Sequence, residues 1–174
     1  MKSTSLAMVC LAVLFSVNAT AKTMFILNFN RGELPDNSSA CASSLSEENA
    51  EKEGEVTLKL EFEGRGWCGM YLPKKSSWTG FKKLKFILVN PGEQPIKDVG
   101  FCVKGARGGG GPDNRKDYKF EIPSGVKEFE FTFYGDVCND GKSPLDTSKV
   151  VIWNFDNYTA QKVSFFVRKL WIED

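Results

Sequence analysis

The chain has 174 residues, with 23 Lys and Arg against 22 Asp and Glu, and it contains no histidine. So balanced a charge gives no general attraction to nucleic acid or to an anionic membrane surface. Without histidine there is no Ser-His-Asp or Cys-His nucleophile, no His-ligated zinc or iron, and no usual general base near neutral pH.

The first 21 residues have the form of a secretory leader. Lys2 precedes an apolar run from Leu6 to Val17, and Ala19-Thr20-Ala21 fits the small-x-small cleavage rule. That run is too short to span a bilayer, which takes about 20 residues. The expectation is a single exported domain over residues 22–174, with Cys10 discarded alongside the leader. Four cysteines remain: Cys41, Cys68, Cys102 and Cys138. An even count in an oxidising compartment predicts two disulfides, with three possible pairings. The shortest closures, Cys41–Cys68 and Cys102–Cys138, are the expected pairs. No two cysteines stand at Cys-x-x-Cys spacing, so no metal site is expected.

Met24 to Phe29 reads as the first strand. Ser43 to Lys52 is polar and reads as a loop with one helical turn at most. Val56, Leu58, Leu60 and Phe62 then alternate with Glu55, Thr57, Lys59 and Glu61, the period of a strand with one buried face. Trp67 to Leu72, Leu84 to Val89 and Val99 to Lys104 follow as strands. Tyr118, Phe120 and Ile122 alternate with Asp117, Lys119 and Glu121, and Phe129, Phe131 and Phe133 with Glu128, Glu130 and Thr132. Val150 to Phe155 and Val163 to Ile172 bring the count to about nine. The connections carry turn residues such as Asn90-Pro91-Gly92 and Asn139-Asp140-Gly141. Strands at this spacing without helices predict an all-β fold, a two-sheet antiparallel β-sandwich or jelly roll.

Three stretches carry a family likeness: Phe25 to Gly32, Ser77-Trp78-Thr79-Gly80-Phe81-Lys82-Lys83-Leu84-Lys85-Phe86 with the Asn90-Pro91 turn, and Leu145-Asp146 through Ile172. Together they resemble the galactose-binding-like jelly rolls, which include non-catalytic carbohydrate-binding modules of cell-wall hydrolases. The resemblance implies a polysaccharide or oligosaccharide partner. Modules of this type often hold a structural calcium with acidic residues of the first strand and an Asp of the last. Here those places read Asn28-Phe29-Asn30 and Val167-Arg168-Lys169, without a carboxylate. Calcium needs several hard oxygen ligands. No metal or other cofactor is therefore expected, and Arg168 is expected in that space.

Sugars are held in water by aromatic faces stacked on pyranose C–H groups and by planar polar groups on the hydroxyls. If Cys68, Met70 and Leu72 face the core, then Trp67, Gly69 and Tyr71 share the opposite face. Trp67 and Tyr71 would form a platform with Gly69 open between them; the alternative is that both rings fill the core or cover an edge. Tyr134, out of phase with the preceding Phe residues, is expected to face solvent and is a further candidate for sugar binding. Arg107 and Asn114, in the loop from Gly105 to Arg115, are candidates for a ligand rim; its four glycines lack the Gly-Lys-Ser/Thr of a phosphate-binding loop. Trp78, Trp153 and Trp171 are expected in the core. Scattered carboxylates give no catalytic pair, so no enzyme is expected. The function read from the sequence is a secreted, non-catalytic carbohydrate-binding module without nucleic-acid or membrane partners. The alternative is a secreted structural or adhesive surface protein on the same sandwich. Asn37-Ser38-Ser39 and Asn157-Tyr158-Thr159 are N-glycosylation sequons if the host exports through a glycosylating pathway.

Overall fold

The computed structural model describes residues 21–105 and 111–174, with the side chains of residues 70–75 outside the description. The leader and Arg107 also lie outside the described residues. In chain order the strands are β1 (Thr23–Phe25), β2 (Asp36–Asn37), β3 (Cys41–Ser46), β4 (Thr57–Phe62), β5 (Gly66–Ser76) and β6 (Lys83–Asn90). They continue as β7 (Ile96–Gly105), β8 (Arg115–Ile122), β9 (Gly125–Thr132), β10 (Val150–Asn157) and β11 (Val163–Glu173). One sheet runs β3-β4-β11-β6-β9 with β1 also on β11, and the other runs β2-β5-β10-β7-β8. Every strand pairing in both sheets is antiparallel. The fold is a two-sheet antiparallel jelly roll.

Alternation decides which side chains meet between the sheets. On β6, Leu84, Phe86 and Leu88 are buried in the core while Lys83 and Lys85 point outward. On β10, Trp153 and Phe155 face inward and leave Asn154 and Asp156 on the outer side. Phe86 joins the layers: its ring stacks on Phe101 at 5.5 Å and meets the edge of Phe155 at 5.4 Å. Such pairs add about 0.5–1.5 kcal/mol beyond the burial of each ring. Trp153 lies flat on Phe101 with only 6° between planes, and Trp78 packs on Phe133.

Four expectations need correction. The segment from Ser43 is not a loop, because Cys41–Ser46 pairs along β4 as an edge strand. Its polar residues are tolerated there because an edge strand keeps one side in water. The first strand is shorter than expected, since Phe29–Arg31 turns into a single 3-10 turn closed by Gly32 at φ 76°. Trp171 is half-buried on the outer side of its sheet and donates its indole N–H to Glu173 at 3.2 Å. Finally, Cys102 and Cys138 cannot pair. Cys138 belongs to the core with Phe101 and Tyr118, whereas Cys102 faces outward beside Asp117 and Asp156. Cys41 and Cys68 are both in the core, but as free thiols: Cys41 donates to the Ala42 carbonyl at 3.6 Å and Cys68 to the Asn37 side-chain oxygen at 2.8 Å, so the structure does not show this expected disulfide either.

The two sequons also differ. Asn157 is buried, and its side-chain amide donates to the carbonyls of Gly64 and Gln161, both at 2.9 Å. Asn37 is exposed on β2.

Candidate functional site

Three rows of residues stand in register across β5, β10, β7 and β8 of the five-stranded sheet. The first row is Trp67, Asp156, Gly100 and Lys119, each the register partner of the next. The second is Gly69, Asn154, Cys102 and Asp117, and the third Tyr71, Ile152, Lys104 and Arg115. Antiparallel register puts partners of a row within about 4.5–5.5 Å at their Cβ atoms, so each row is a continuous strip of chemistry.

These rows enclose a cleft of about 280 Å³ lined by Trp67, Cys102, Lys104, Arg115, Ile152, Asn154 and Asp156. Trp67 is 42% exposed, an unusual state for so large an apolar ring in this chain, where Trp78 and Trp153 are buried. Its ring offers a flat apolar surface at one end of the cleft.

The polar groups are held before any ligand arrives. Arg115 grips Asp117 in a fork, Nε to Oδ1 at 3.1 Å and a terminal nitrogen to Oδ2 at 2.5 Å. Burial pushes the Asp117 carboxyl up, but the hydrogen bonds from Arg115, Cys102 and Asn139 and the charge of Arg115 together outweigh it, and the group stays below its ordinary range. Asp117 also receives the Cys102 thiol, whose own ionisation is suppressed by burial and by that carboxylate. Asp156 accepts from Asn154 Nδ2 at 2.7 Å and from the Tyr158 hydroxyl at 3.4 Å. Burial, with the charge of Asp117 added, pushes the Asp156 carboxyl up to about 6. The two carboxyl groups are thus driven apart by environment: one is fixed as an anion, and the other is poised between neutral and charged.

Two glycines shape the floor. A Cβ on Gly100 would meet the Tyr158 ring at 2.8 Å, so Gly100 is the seat on which that ring lies. Lys119 Nζ stands 5.0 Å from the same ring centroid, on the next strand. Gly69 does not open the platform to a ligand as expected. A Cβ there would lie 2.1 Å from the Trp153 carbonyl oxygen and 2.3 Å from the Asn154 Cβ, so the β10 backbone already fills that space.

Of the residues singled out from the sequence for sugar binding, Trp67 alone has a described side chain in the cleft. Tyr71 is opposite Ile152 on the same sheet, with its side chain outside the described residues. Arg107 also lies outside them. Asn114 is buried and donates its Nδ2 to the Gly105 carbonyl at 3.0 Å, closing the base of the loop from inside instead of lining a rim. Tyr134 is 70% exposed but follows β9, on the other sheet, where its backbone N–H reaches the Lys82 carbonyl. The sequence reading missed Arg115, Asp117, Asn154, Asp156 and Tyr158 as a group. Their signal is phase: Asn154 sits between the core residues Trp153 and Phe155, Asp156 follows Phe155, and Asp117 precedes the buried Tyr118.

Arg168 lines a second hollow of about 210 Å³ with Asn28, Phe29, Asn30 and Glu55. Its Nε donates to the Asn49 carbonyl at 2.5 Å. A guanidinium tied there is a fixed positive charge, and the donors beside it do not fit a calcium ion. Among the described residues no group of three or more Cys, Asp or Glu side chains is arranged to hold a metal. Nor is any described helix long and apolar enough to cross a membrane.

No family model and no curated protein matches this chain. Solved structures do. The family 11 carbohydrate-binding module of the cellulosomal cellulase Lic26A-Cel5E of Clostridium thermocellum is 15% identical, with a TM-score of 0.63 over 88% of this chain and 95% of that one. A structure of the Clostridium thermocellum family 11 module in complex with a β-1,3-1,4-mixed-linked tetrasaccharide gives 0.58 at 15% identity, over 91% of each chain. An exo-β-agarase gives 0.68 at 13% identity over 86% of this chain but only 25% of its own. In fold, over nearly all of its described length, this chain resembles the carbohydrate-binding modules of the jelly-roll type.

Proposed function

We propose that this protein binds a polysaccharide or oligosaccharide along the outer face of its five-stranded sheet and carries out no reaction on it. The observation that carries this reading is the pairing of an exposed Trp67 ring with the Asp156 carboxyl directly across the strand. A pyranose stacked on that ring brings its hydroxyls over the Asp156, Asn154 and Arg115 side chains. Those groups are held by one another, so little side-chain order is lost on binding. The likeness in fold to carbohydrate-binding modules supports the same reading.

The protein is exported in this reading, with residues 1–21 as its cleaved leader. It is a binding protein and not an enzyme: Asp117 is engaged by Arg115, which leaves Asp156 without a second free carboxyl in the cleft to complete an acid–base pair. The test is retention on insoluble cellulose, xylan, mannan and chitin, followed by a soluble-glycan array. Retention on at least one glycan, abolished by Trp67→Ala, is the expected result. A Trp67→Ala protein retained as well as the wild type would overturn the cleft as the site.

A further inference from the structure

We infer that the carbohydrate taken by the cleft is acidic: a sugar chain bearing a carboxylate or a sulfate ester, whose anion sits between Lys104 and Arg115 while a neighbouring ring stacks on Trp67. This rests on the carbohydrate reading and names the substrate class of that same cleft. Lys104 and Arg115 are register partners across β7 and β8, and both line the cleft. Residues directly opposed in this way stand within about 4.5–5.5 Å at their Cβ atoms, where two like charges repel and cost stability. The protein relieves only part of that repulsion. Asp117 takes Nε and one terminal nitrogen of Arg115 and so balances its charge. The other terminal nitrogen, Nη1, makes no hydrogen bond among the described residues. Lys104 forms no ion pair among them either. Residues 1–20, 70–75 and 106–110, whose side chains lie outside the description, include no Asp or Glu. No carboxylate of this chain therefore pairs with Lys104, which stands in the cleft as an uncompensated cation.

The two ends of the cleft differ in chemistry. Trp67 and Asp156 belong to the first row, and Lys104 and Arg115 to the third, four residues further along each strand. At about 3.3 Å per residue the rows are about 13 Å apart, the reach of a short oligosaccharide and not of one ring. That separation exceeds the screening length of about 8 Å at physiological ionic strength, so Asp156 does not cancel the charge of Lys104 across a water-filled cleft. Hydroxyl groups are met by Asp156 and Asn154, whereas a neutral sugar gives Lys104 nothing to neutralise. A carboxylate or sulfate presents two or more acceptor oxygens. One takes the Lys104 ammonium and another the free Nη1 of Arg115, as charge-assisted hydrogen bonds roughly twice as strong as neutral ones. The anion thereby also removes the repulsion between the two opposed cations.

The test is titration calorimetry with polygalacturonate and its methyl-esterified form, a sulfated galactan and its desulfated form, and neutral mixed-linked β-glucan. Binding of polygalacturonate or of the sulfated galactan at least about tenfold tighter than its uncharged counterpart is the expected result. Which of the two is bound tells a carboxylate from a sulfate. Lys104→Gln is expected to weaken that binding about tenfold at an unchanged melting temperature, and Lys104→Arg to retain it. Equal affinity for the charged and uncharged forms would overturn the inference, and that comparison needs no variant. A folded Lys104→Gln protein that binds the acidic glycan as the wild type does would overturn it as well. Binding of the neutral β-glucan alone would overturn the acidic class and leave the carbohydrate reading standing. Binding of none of the five glycans, nor of any glycan in the retention and array test, would overturn both.

Discussion

Trp67 and Asp156 face each other across β5 and β10 as register partners, an apolar ring beside a carboxyl at one end of the cleft. The ring is partly in water while its neighbour Cys68 is fully buried, so the two residues answer to different pressures. Trp67→Ala is expected to weaken glycan binding about 30-fold, near 2 kcal/mol, with little change in melting temperature. Trp78→Ala, which empties a buried site, is expected to cost about 3–5 kcal/mol of stability. Thermal melting measured beside binding checks both. A Trp67→Ala protein as destabilised as Trp78→Ala would make the ring part of the core.

Asp156 gives the protein a pH dependence of defined sign. Its folded pKa is raised from 3.8 to about 6 by burial and by Asp117. Between those values the native state keeps a proton that the unfolded chain has already released. Stability therefore falls as pH rises from about 4 to about 6, and is level above that. The loss is on the order of 2–3 kcal/mol. Asp117, held low by Arg115, works in the other direction: its contribution is present above its unfolded pKa and is lost as pH falls through its lower folded value. Asp156→Asn is expected to melt higher than the wild type at pH 7.5, and to show a smaller difference from it at pH 4.5. Melting curves across that range check it, and parallel pH profiles for the two proteins would contradict it.

The sandwich is legible because alternation is a local signal. Leu58, Leu60 and Phe62 on one side of β4, against Lys59 and Glu61 on the other, need no knowledge of what lies opposite. Strand β3 escapes the same reading because Ala42, Ser43 and Ser44 carry no apolar period. Its pairing is dictated by β4, not by its own side chains. The cleft is legible only in pieces. Phase alone turns Asn154, Asp156 and Asp117 outward, but the register that lines them up beside Trp67 comes from strands far apart in the chain. Gly69 is the clearest failure of local reasoning, since its missing side chain makes room for β10 and not for a ligand.

The two floor glycines are expected to differ on substitution. Gly69→Ala drives a Cβ into the backbone of Trp153 and Asn154, and backbone cannot step aside. That change is expected to part β5 from β10 and to leave little folded protein. Gly100→Ala meets chiefly the Tyr158 ring, which can move, and comes within 3.0 Å of the Tyr118 carbonyl oxygen, a far milder clash with backbone than at Gly69. It is expected to fold with a loss of about 1–3 kcal/mol, as for other overpacked sites. Displacement of the Tyr158 hydroxyl from Asp156 should then weaken glycan binding. Yield, melting temperature and binding of the two variants separate these outcomes.

Arg168 sets the last expectation. Its guanidinium lies in the hollow beside Asn28 and Asn30 and is tied to the Asn49 carbonyl, where it bridges β11 to the loop ahead of β4. A ligand that binds only the native state raises the melting temperature with the logarithm of its excess over its dissociation constant. If the cation in this hollow is the arginine itself, millimolar calcium and a calcium chelator should both leave the melting temperature unchanged. Arg168→Ala should then lower it, because the Asn49 carbonyl loses its donor and the loop its anchor, at about 1–3 kcal/mol. Calcium should not restore that loss, since two Asn side chains and the single carboxylate of Glu55, with Lys169 beside them, make a poor site for a divalent ion. A melting temperature that falls by several degrees on chelation of the wild-type protein would show a metal bound in the native state.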